Sequence, residues 1–379
     1  MALPLTDQLV VIASDGTVVA LDAAGRRLWE ALQTGCTVDD LIAASVQEGN
    51  LPADVARANI ARALGSWRAL GLIDPSAPEP EPAPVAMPVV ARPVGRAPEL
   101  DQVYLAGDHP VRVRCDDRVL AGVVETACRS CRVGDAPGAR ATVDVIEQDG
   151  WFAVRADGAE LARTDDLTRN RALARHRCLT ALLETARASR RWLGILHASA
   201  VSADGRCVVL CGAKGSGKST LATALVAAGA GFVTDDYAPL EQASWLVWPV
   251  PYAPGIKRGS WRPLRRRYPD LYARPVHRLA GLQIRYLDLD GARMAPLHRG
   301  LPVEALVFPR YQAGAVLEQQ RMTPAEALVG LCHARSMLDR RPEVLAETLR
   351  WVESVPAYRV SYGELDSAVE RVWSLLGAT

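Results

Sequence analysis

Long apolar runs are absent from the 379-residue sequence: its longest small, apolar stretch, Leu221–Val233, is broken by Thr223 and Gly229. It falls short of the ~18 residues that a membrane span needs, which predicts no membrane association. The opening MALPLTDQLVV has no basic segment ahead of an apolar core, so no signal peptide is expected. Eight cysteines are too few for a disulfide scaffold in a chain this long and suit a reducing compartment. Charge of one sign is lacking too. With 44 basic against 43 acidic residues the net charge is +1, and no global field favours nucleic acid or an anionic membrane. Lysine is scarce: Lys214, Lys218 and Lys257 stand against 41 arginines. A chain that writes positive charge as arginine either drifts with its composition or keeps lysine where a compact ammonium is needed. Two of the three lysines fall in one glycine-rich loop. What is present, 49% hydrophobic and 23% charged residues, suffices for two or three domains of a cytoplasmic protein with a sizeable core.

Eight prolines in residues 75–98 leave too few backbone donors for helix or sheet and favour a semi-rigid, extended linker. The unit before it, 1–74, opens with two β-branched segments, Leu9–Ile12 and Thr17–Leu21, around the turn signal Ser14–Gly16, which predicts a hairpin. Three helical patterns follow. Leu21, Ala24, Leu28, Trp29 and Leu32 mark the first. Thr37 with Asp40 three residues on is a capping-box-like start for the second. The third runs from Pro52 through Val55, Ile60, Leu64, Trp67 and Leu70 to Gly71. The expected fold is a small winged-helix-like α+β domain. Its five basic against nine acidic residues disfavour DNA, because phosphate contacts supply most non-specific affinity. No nucleic acid partner is expected.

The strings LDAAGRRLWEAL, TVDDLI and LGSWRALGLID in this unit resemble the PqqD-like family of peptide-recognition elements in ribosomal peptide modification. The resemblance implies that the leader of a precursor peptide adds as an extra strand to the hairpin edge and rests against the last helix, a β-augmentation. The implied edge strand is Val18, Val19 and Ala20. The implied helical wall includes Asn59, Ala63 and Trp67. Leu28, Trp29 and Leu64 read as core.

Beyond the linker, Val111–Arg114, Thr142–Ile146 and Trp151–Arg155 read as strands, and Leu167 to about Arg190 as helix. Cys128 and Cys131 form one CxxC without the second pair that a structural zinc site wants. The informative stretch is 196–240. Cys207–Cys211 reads as a buried strand, and Gly212, Ala213, Lys214, Gly215, Ser216, Gly217, Lys218 and Ser219 fit GxxxxGK(S/T) at every fixed position. Thr220 and a helical pattern follow. Strand, loop and helix together are the context this motif requires. Glycines let backbone N–H groups surround phosphate oxygens, Lys218 reaches the β- and γ-phosphates of ATP, and Ser219 ligates Mg²⁺. Lys214 either reaches phosphate or is solvated. A second strand pattern ends in Asp235 and Asp236, only 17 and 18 residues after Lys218. Paired acids there suggest one carboxylate on the metal side and one taking a proton from a hydroxyl.

LHASAV, GAKGSGKST and VTDD together are similar to the HPr kinase/phosphorylase family and the related kinases of lasso-peptide pathways. The resemblance implies an α/β P-loop kinase domain of HPr kinase type over 99–379. It further implies Asp236 as base, Asp235 as the metal-side acid, His197 near the transferring phosphate, and charge stabilisation by Lys257, in a loop, and Arg310, at a strand end. The family's phosphorylase signature is missing downstream. Arg262, Arg265, Arg266 and Arg267 read as a solvated basic face or a collector of acidic peptide. The joint expectation is an ATP- and Mg²⁺-dependent serine kinase acting on a precursor peptide whose leader the N-terminal unit holds. The kinase resemblance raises the expectation of a homo-oligomer. A serine kinase for a folded regulatory protein and a non-catalytic, nucleotide-gated peptide chaperone are the alternatives.

Overall fold

A computed structural model describes residues 2–5, 8–12, 18–21, 23–49, 53–69, 71–73, 92, 95, 97–134, 138–148, 151–160, 171–279, 281–289, 291–334, 336–339 and 341–377. The proline-rich 74–91, residues 13–17 with the expected turn signal, and the segment 161–170 lie outside them. The chain divides into two compact units, 1–87 with 323–332, and 88–322 with 333–379.

In the first unit, β1 (Ala2–Leu5), β2 (Gln8–Ile12) and β3 (Val18–Leu21) make an antiparallel sheet in the order β1-β2-β3. The expected hairpin is β2–β3, with Leu9 opposite Leu21 and Ile12 opposite Val18; β1 was not legible as a strand. Helices α1 (Ala23–Gln33), α2 (Val38–Gly49) and α3 (Ala53–Ala69) follow. The capping box is present. Asp40 Oδ2 accepts from the Thr37 amide at 2.9 Å, and the Thr37 hydroxyl accepts from the Asp40 amide at 3.2 Å. Two orphan donors at the start of α2 are satisfied that way. Helix α3 stops where Gly71 turns left-handed (φ +65°) and the Leu72 amide reaches the Trp67 carbonyl at 2.8 Å, a Schellman ending. One core unites Leu9, Val11, Leu21, Trp29, Ile60, Leu64 and Trp67, and the Trp29 and Trp67 rings meet edge-on at 5.6 Å.

The second unit begins with β4 (Leu100–Tyr104), β5 (Val111–Cys115), α4 (Arg118–Ala127), β6 (Arg132–Val133), β7 (Ala141–Gln148), β8 (Trp151–Ala156), β9 (Ala159–Glu160) and α5 (Arg171–Ala186). Its strands form a mixed sheet, β6-β4-β5-β7-β8-β9, in which β5 and β7 run parallel. Alternation along β5 buries Val111, Val113 and Cys115 against the apolar faces of α4 and α5. The Asp117 side chain caps α4 by accepting from the Leu120 amide at 2.8 Å.

Next in chain order come β10 (Trp192–Leu196), β11 (Ser199–Ala203), β12 (Arg206–Leu210), α6 (Lys218–Ala227), β13 (Gly231–Thr234), β14 (Ala238–Glu241), β15 (Leu246–Val247), β16 (Gly255–Lys257), α7 (Arg258–Leu264), β17 (His277–Leu279), β18 (Leu282–Tyr286), β19 (Leu301–Tyr311), β20 (Glu318–Met322), α8 (Pro324–His333), β21 (Met337–Leu338), α9 (Pro342–Ser354), β22 (Ala357–Tyr362) and α10 (Leu365–Leu375); all but α8, which falls with the first unit up to Cys332, belong to the second. Among the described residues, β13-β11-β12-β19-β15-β14-β10-β21 make the path of a second mixed sheet, with β22 between β19 and β20. Strands β12, β19 and β22 are mutually parallel. Buried on both faces, β12 is the near-continuous apolar run that a central parallel strand shows. Helices α6 and α10 pack over it through Leu221, Leu225, Val369 and Val372. A small antiparallel sheet, β16-β18-β17, completes the unit.

Candidate functional site

The site grows from the end of β12. The Cys211 amide is held by the Val307 carbonyl at 2.7 Å, and the chain then turns through Gly212, Gly215 and Gly217 at φ +138°, +90° and +103°. A side chain on Gly217 would be strained by backbone conformation, and its Cβ would stand 2.6 Å from the Tyr362 hydroxyl. Only glycine fits that position. Gly217 is the residue before α6, so the loop delivers the chain directly into a helix N-terminus. Lys218 folds back over the loop, donating to the carbonyls of Gly212 at 2.7 Å and Ala213 at 3.2 Å. Burial pulls its pKa down, against the pull of Asp236 and Asp235. The Ser216 hydroxyl is buried without a partner among the described residues.

Strand β13 brings the two acids alongside. Asp235 is buried and accepts on one oxygen from Ser199 at 2.6 Å and from Ser219, in the first turn of α6, at 2.8 Å. Burial and the neighbouring Asp236 push its pKa up to about 6, despite those two donors. Asp236 follows in a left-handed conformation (φ +67°), which aspartate tolerates better than most residues. The Thr234 hydroxyl ties this turn down by donating to the Tyr237 carbonyl. Asp236 lies 3.9 Å from His197 Nε2 and 4.0 Å from the Arg175 guanidinium. Burial opposes its ionisation, but His197, Arg175, Lys257 and Lys218 outweigh it and hold the pKa below the usual carboxylate range. Burial lowers the His197 pKa as well. Besides His197, the cations around Asp236 are Arg175, Lys257 and Lys218.

Two adjoining cavities open here. The first, about 380 Å³, is lined by Lys214, Gly215, Gly217, Lys218, Ser219 and Thr220 on one side and by Tyr311, Tyr362 and Leu365 on another. The second, about 620 Å³, lies towards Arg175, Tyr237 and Tyr286. His197, Lys214, Asp236, Gly255 and Lys257 border both. The fold thus brings together His197, Lys214, Lys218, Ser219, Thr220, Asp235, Asp236 and Lys257.

Some expectations need correction. Lys257 does not sit in a loop; it ends β16 and precedes α7. Arg310 borders neither cavity and is exposed, whereas its neighbour Tyr311 lines the first. Successive side chains on a strand point to opposite faces, and β19 continues one residue further than the FPR pattern implied. Trp67 is 5% exposed and belongs to the N-terminal core, because its ring closes on Trp29; of the implied helical wall, Asn59 is exposed and Ala63 half-buried. Val19 is half-buried in β3, a strand paired only with β2 among the described residues. The exposed Arg262, Arg265 and Arg266 follow α7 and its end, and Arg267 pairs with Asp366. Cys128 and Cys131 are buried thiols, with Cys131 Sγ donating to the Cys128 carbonyl at 3.2 Å.

Arg175 is the residue that sequence reasoning missed. It lies on α5, 61 positions before Asp236, also donates to the Tyr286 hydroxyl at 3.0 Å, and is held charged by Tyr286, Tyr237 and Asp236 against the cost of burial. In an arginine-rich chain nothing local marks it out.

Residues 8–73 match the family described as Coenzyme PQQ synthesis protein D (PqqD). No curated protein matches the chain. The protein is a small N-terminal PqqD domain followed by a mixed α/β region with mixed sheets, and the match supports a part in peptide modification. No helix among the described residues is long and apolar enough to cross a membrane.

Proposed function

We propose that the chain is an ATP- and Mg²⁺-dependent kinase of HPr kinase type that phosphorylates a hydroxyl side chain, serine foremost, of a ribosomally made precursor peptide. The observation that carries this reading is the 2.8 Å contact between Ser219, at the start of a helix behind a left-handed glycine loop, and the buried carboxylate of Asp235, with Asp236 beside it. A polyphosphate suits that loop. Its helix N-terminus and backbone N–H groups favour anions, and Lys214, Lys218 and Lys257 add positive charge around the cavity.

Mg²⁺ fits the same corner. Asp235 is a buried acid satisfied by two hydroxyls and by no side-chain cation within ion-pair reach among the described residues, and a hard dication takes carboxylate and hydroxyl oxygens. Ser219 and Asp235 would hold it, and when bound it supplies charge neutralisation for the transferring group. Asp236 is kept ionised by fixed cations and stands where both cavities meet. There it takes the acceptor's proton as the hydroxyl oxygen bonds to the γ-phosphorus and the bond to the β–γ bridging oxygen breaks, releasing nucleoside diphosphate. Lys218 and Lys257 stabilise the charge that moves onto those oxygens. His197, 3.9 Å from Asp236, borders the space where the transferring group would pass.

The PqqD match supports leader recognition by the N-terminal unit. The free side of β3 offers main-chain donors and acceptors for an added strand, with Asn59 and Ala63 as surface positions of α3. Holding the leader raises the effective concentration of the core peptide at a covalently linked catalytic unit. The test is incubation with MgATP and a ribosomally made precursor peptide carrying a leader that the N-terminal unit binds, read by phosphopeptide mass spectrometry. A phosphorylated serine is the expected product, and intact ATP with unmodified peptide would remove the assignment.

A further inference from the structure

The second cavity has a chemistry of its own. Four of the five residues it shares with the loop cavity are polar, His197, Lys214, Asp236 and Lys257, and the fifth is Gly255. Those it does not share are mostly apolar, with Leu179, Leu279, Leu282 and Ile284 contributed by α5, β17 and β18. Three tyrosines add ring faces, and each hydroxyl already makes one hydrogen bond within the protein. Tyr237 Oη is bonded to His176 Nδ1 at 3.1 Å, Tyr252 Oη donates to the Leu179 carbonyl at 2.9 Å, and Tyr286 Oη accepts from Arg175 at 3.0 Å. The far part of this recess is therefore a largely apolar, aromatic-lined wall, with Arg175, Asp235 and His333 as its polar members. Its near part ends at Asp236.

From this arrangement we infer that the second cavity is the acceptor site, and that it selects a hydroxyl residue flanked by a large apolar or aromatic side chain on an extended peptide. The inference rests on the phosphoryl-transfer reading above and adds the substrate class. Three features support it. A volume of about 620 Å³ matches the ~300–1,000 Å³ of recesses that enclose a small ligand, which accommodates a side chain or two of a short segment but not a folded surface. The common border with the loop cavity sets a hydroxyl at Asp236 beside the phosphate loop while its neighbour fills the aromatic recess. A charged neighbour lodged against Leu179, Leu279, Leu282 and Ile284 would lose water to side chains that cannot replace it.

The experiment uses the full chain, MgATP and a peptide library with one fixed serine and randomised flanking positions, with phosphopeptides captured and sequenced. Leu, Ile, Phe, Tyr or Trp next to the phosphoserine should be enriched about tenfold or more over Asp, Glu and Lys. Leu282→Glu, at a half-buried position, should shift the preference towards Lys and Arg while nucleotide affinity, measured by calorimetry, is retained. A second variant, Ala253→Leu, should shrink the recess and favour smaller apolar neighbours. Phosphorylation with a flat, acidic or basic preference in the unaltered protein overturns the acceptor assignment and leaves the kinase reading standing. No phosphopeptide from this library or from threonine- and tyrosine-fixed ones overturns the kinase reading, and the acceptor site with it.

Discussion

Asp236→Asn separates chemistry from binding at this site. Asparagine keeps the shape of the side chain and tolerates the left-handed backbone at φ +67° about as well as aspartate, so the turn tied by Thr234 survives. What is lost is the negative charge 3.9 Å from His197 and 4.0 Å from Arg175. A positioned general base contributes about 10²–10⁴ in rate, so kcat should fall by that factor, roughly 3–5 kcal/mol of barrier. Nucleotide affinity should move the other way or not at all. The carboxylate sits among Lys218, Lys257 and Arg175, and removing it leaves more positive charge for a polyphosphate. The assay is single-turnover transfer from γ-labelled ATP, with affinity measured in parallel. Transfer within tenfold of the unaltered protein, or a loss of affinity with kcat intact, would refute the assignment of Asp236 as base.

The pKa of Asp235, near 6 against the usual 3.8, makes two further predictions. Metal needs the carboxylate, so Mg²⁺-dependent nucleotide binding should weaken as pH falls through about 6, approaching tenfold per pH unit below it; calorimetry between pH 5 and 8 checks this. The folded state also binds that proton more tightly than the unfolded chain, so the ionised group costs stability that appears as pH rises from about 4 through 6. Asp235→Asn should therefore raise stability at pH 7, on the order of 1–3 kcal/mol, have no such effect near pH 4, and abolish the response to Mg²⁺, as paired denaturation curves would reveal. Gly217→Ala should cost roughly 1–3 kcal/mol through its backbone conformation and weaken nucleotide binding; adding Tyr362→Phe should recover the part due to the hydroxyl 2.6 Å away. Thr37→Ala removes the α2 cap and should speed exchange of the first-turn amides of α2 about fivefold, with little change in transfer.

The glycine-loop segment was legible because its geometry is local. A strand of buried residues, glycines where φ turns positive and a helix start are all written within 206–227. The acids were legible for the same reason, one short helix and one turn later. The capping box of α2 and the ending of α3 at Gly71 are local as well. What escaped depends on distant partners. Arg175 reaches Asp236 only because the fold sets this turn of α5 against Tyr237 and Tyr286, and no period in the sequence marks one arginine among 41. The second cavity needs Leu179, Tyr252 and Ile284 together, from separate parts of the chain. Arg310 and Tyr311 were distinguishable only once the strand's facing was known. Trp67 carried a helical period that fitted both a peptide wall and a core, and the Trp29 ring decided it.

The most direct measurement is the intact mass of the precursor peptide after incubation with the protein and MgATP, with the label followed from the γ-position. A gain of one phosphoryl group, mapped to a serine and dependent on Mg²⁺, is the expected result. Addition of a nucleotidyl group, or nucleotide binding with the peptide mass unchanged, would contradict the account.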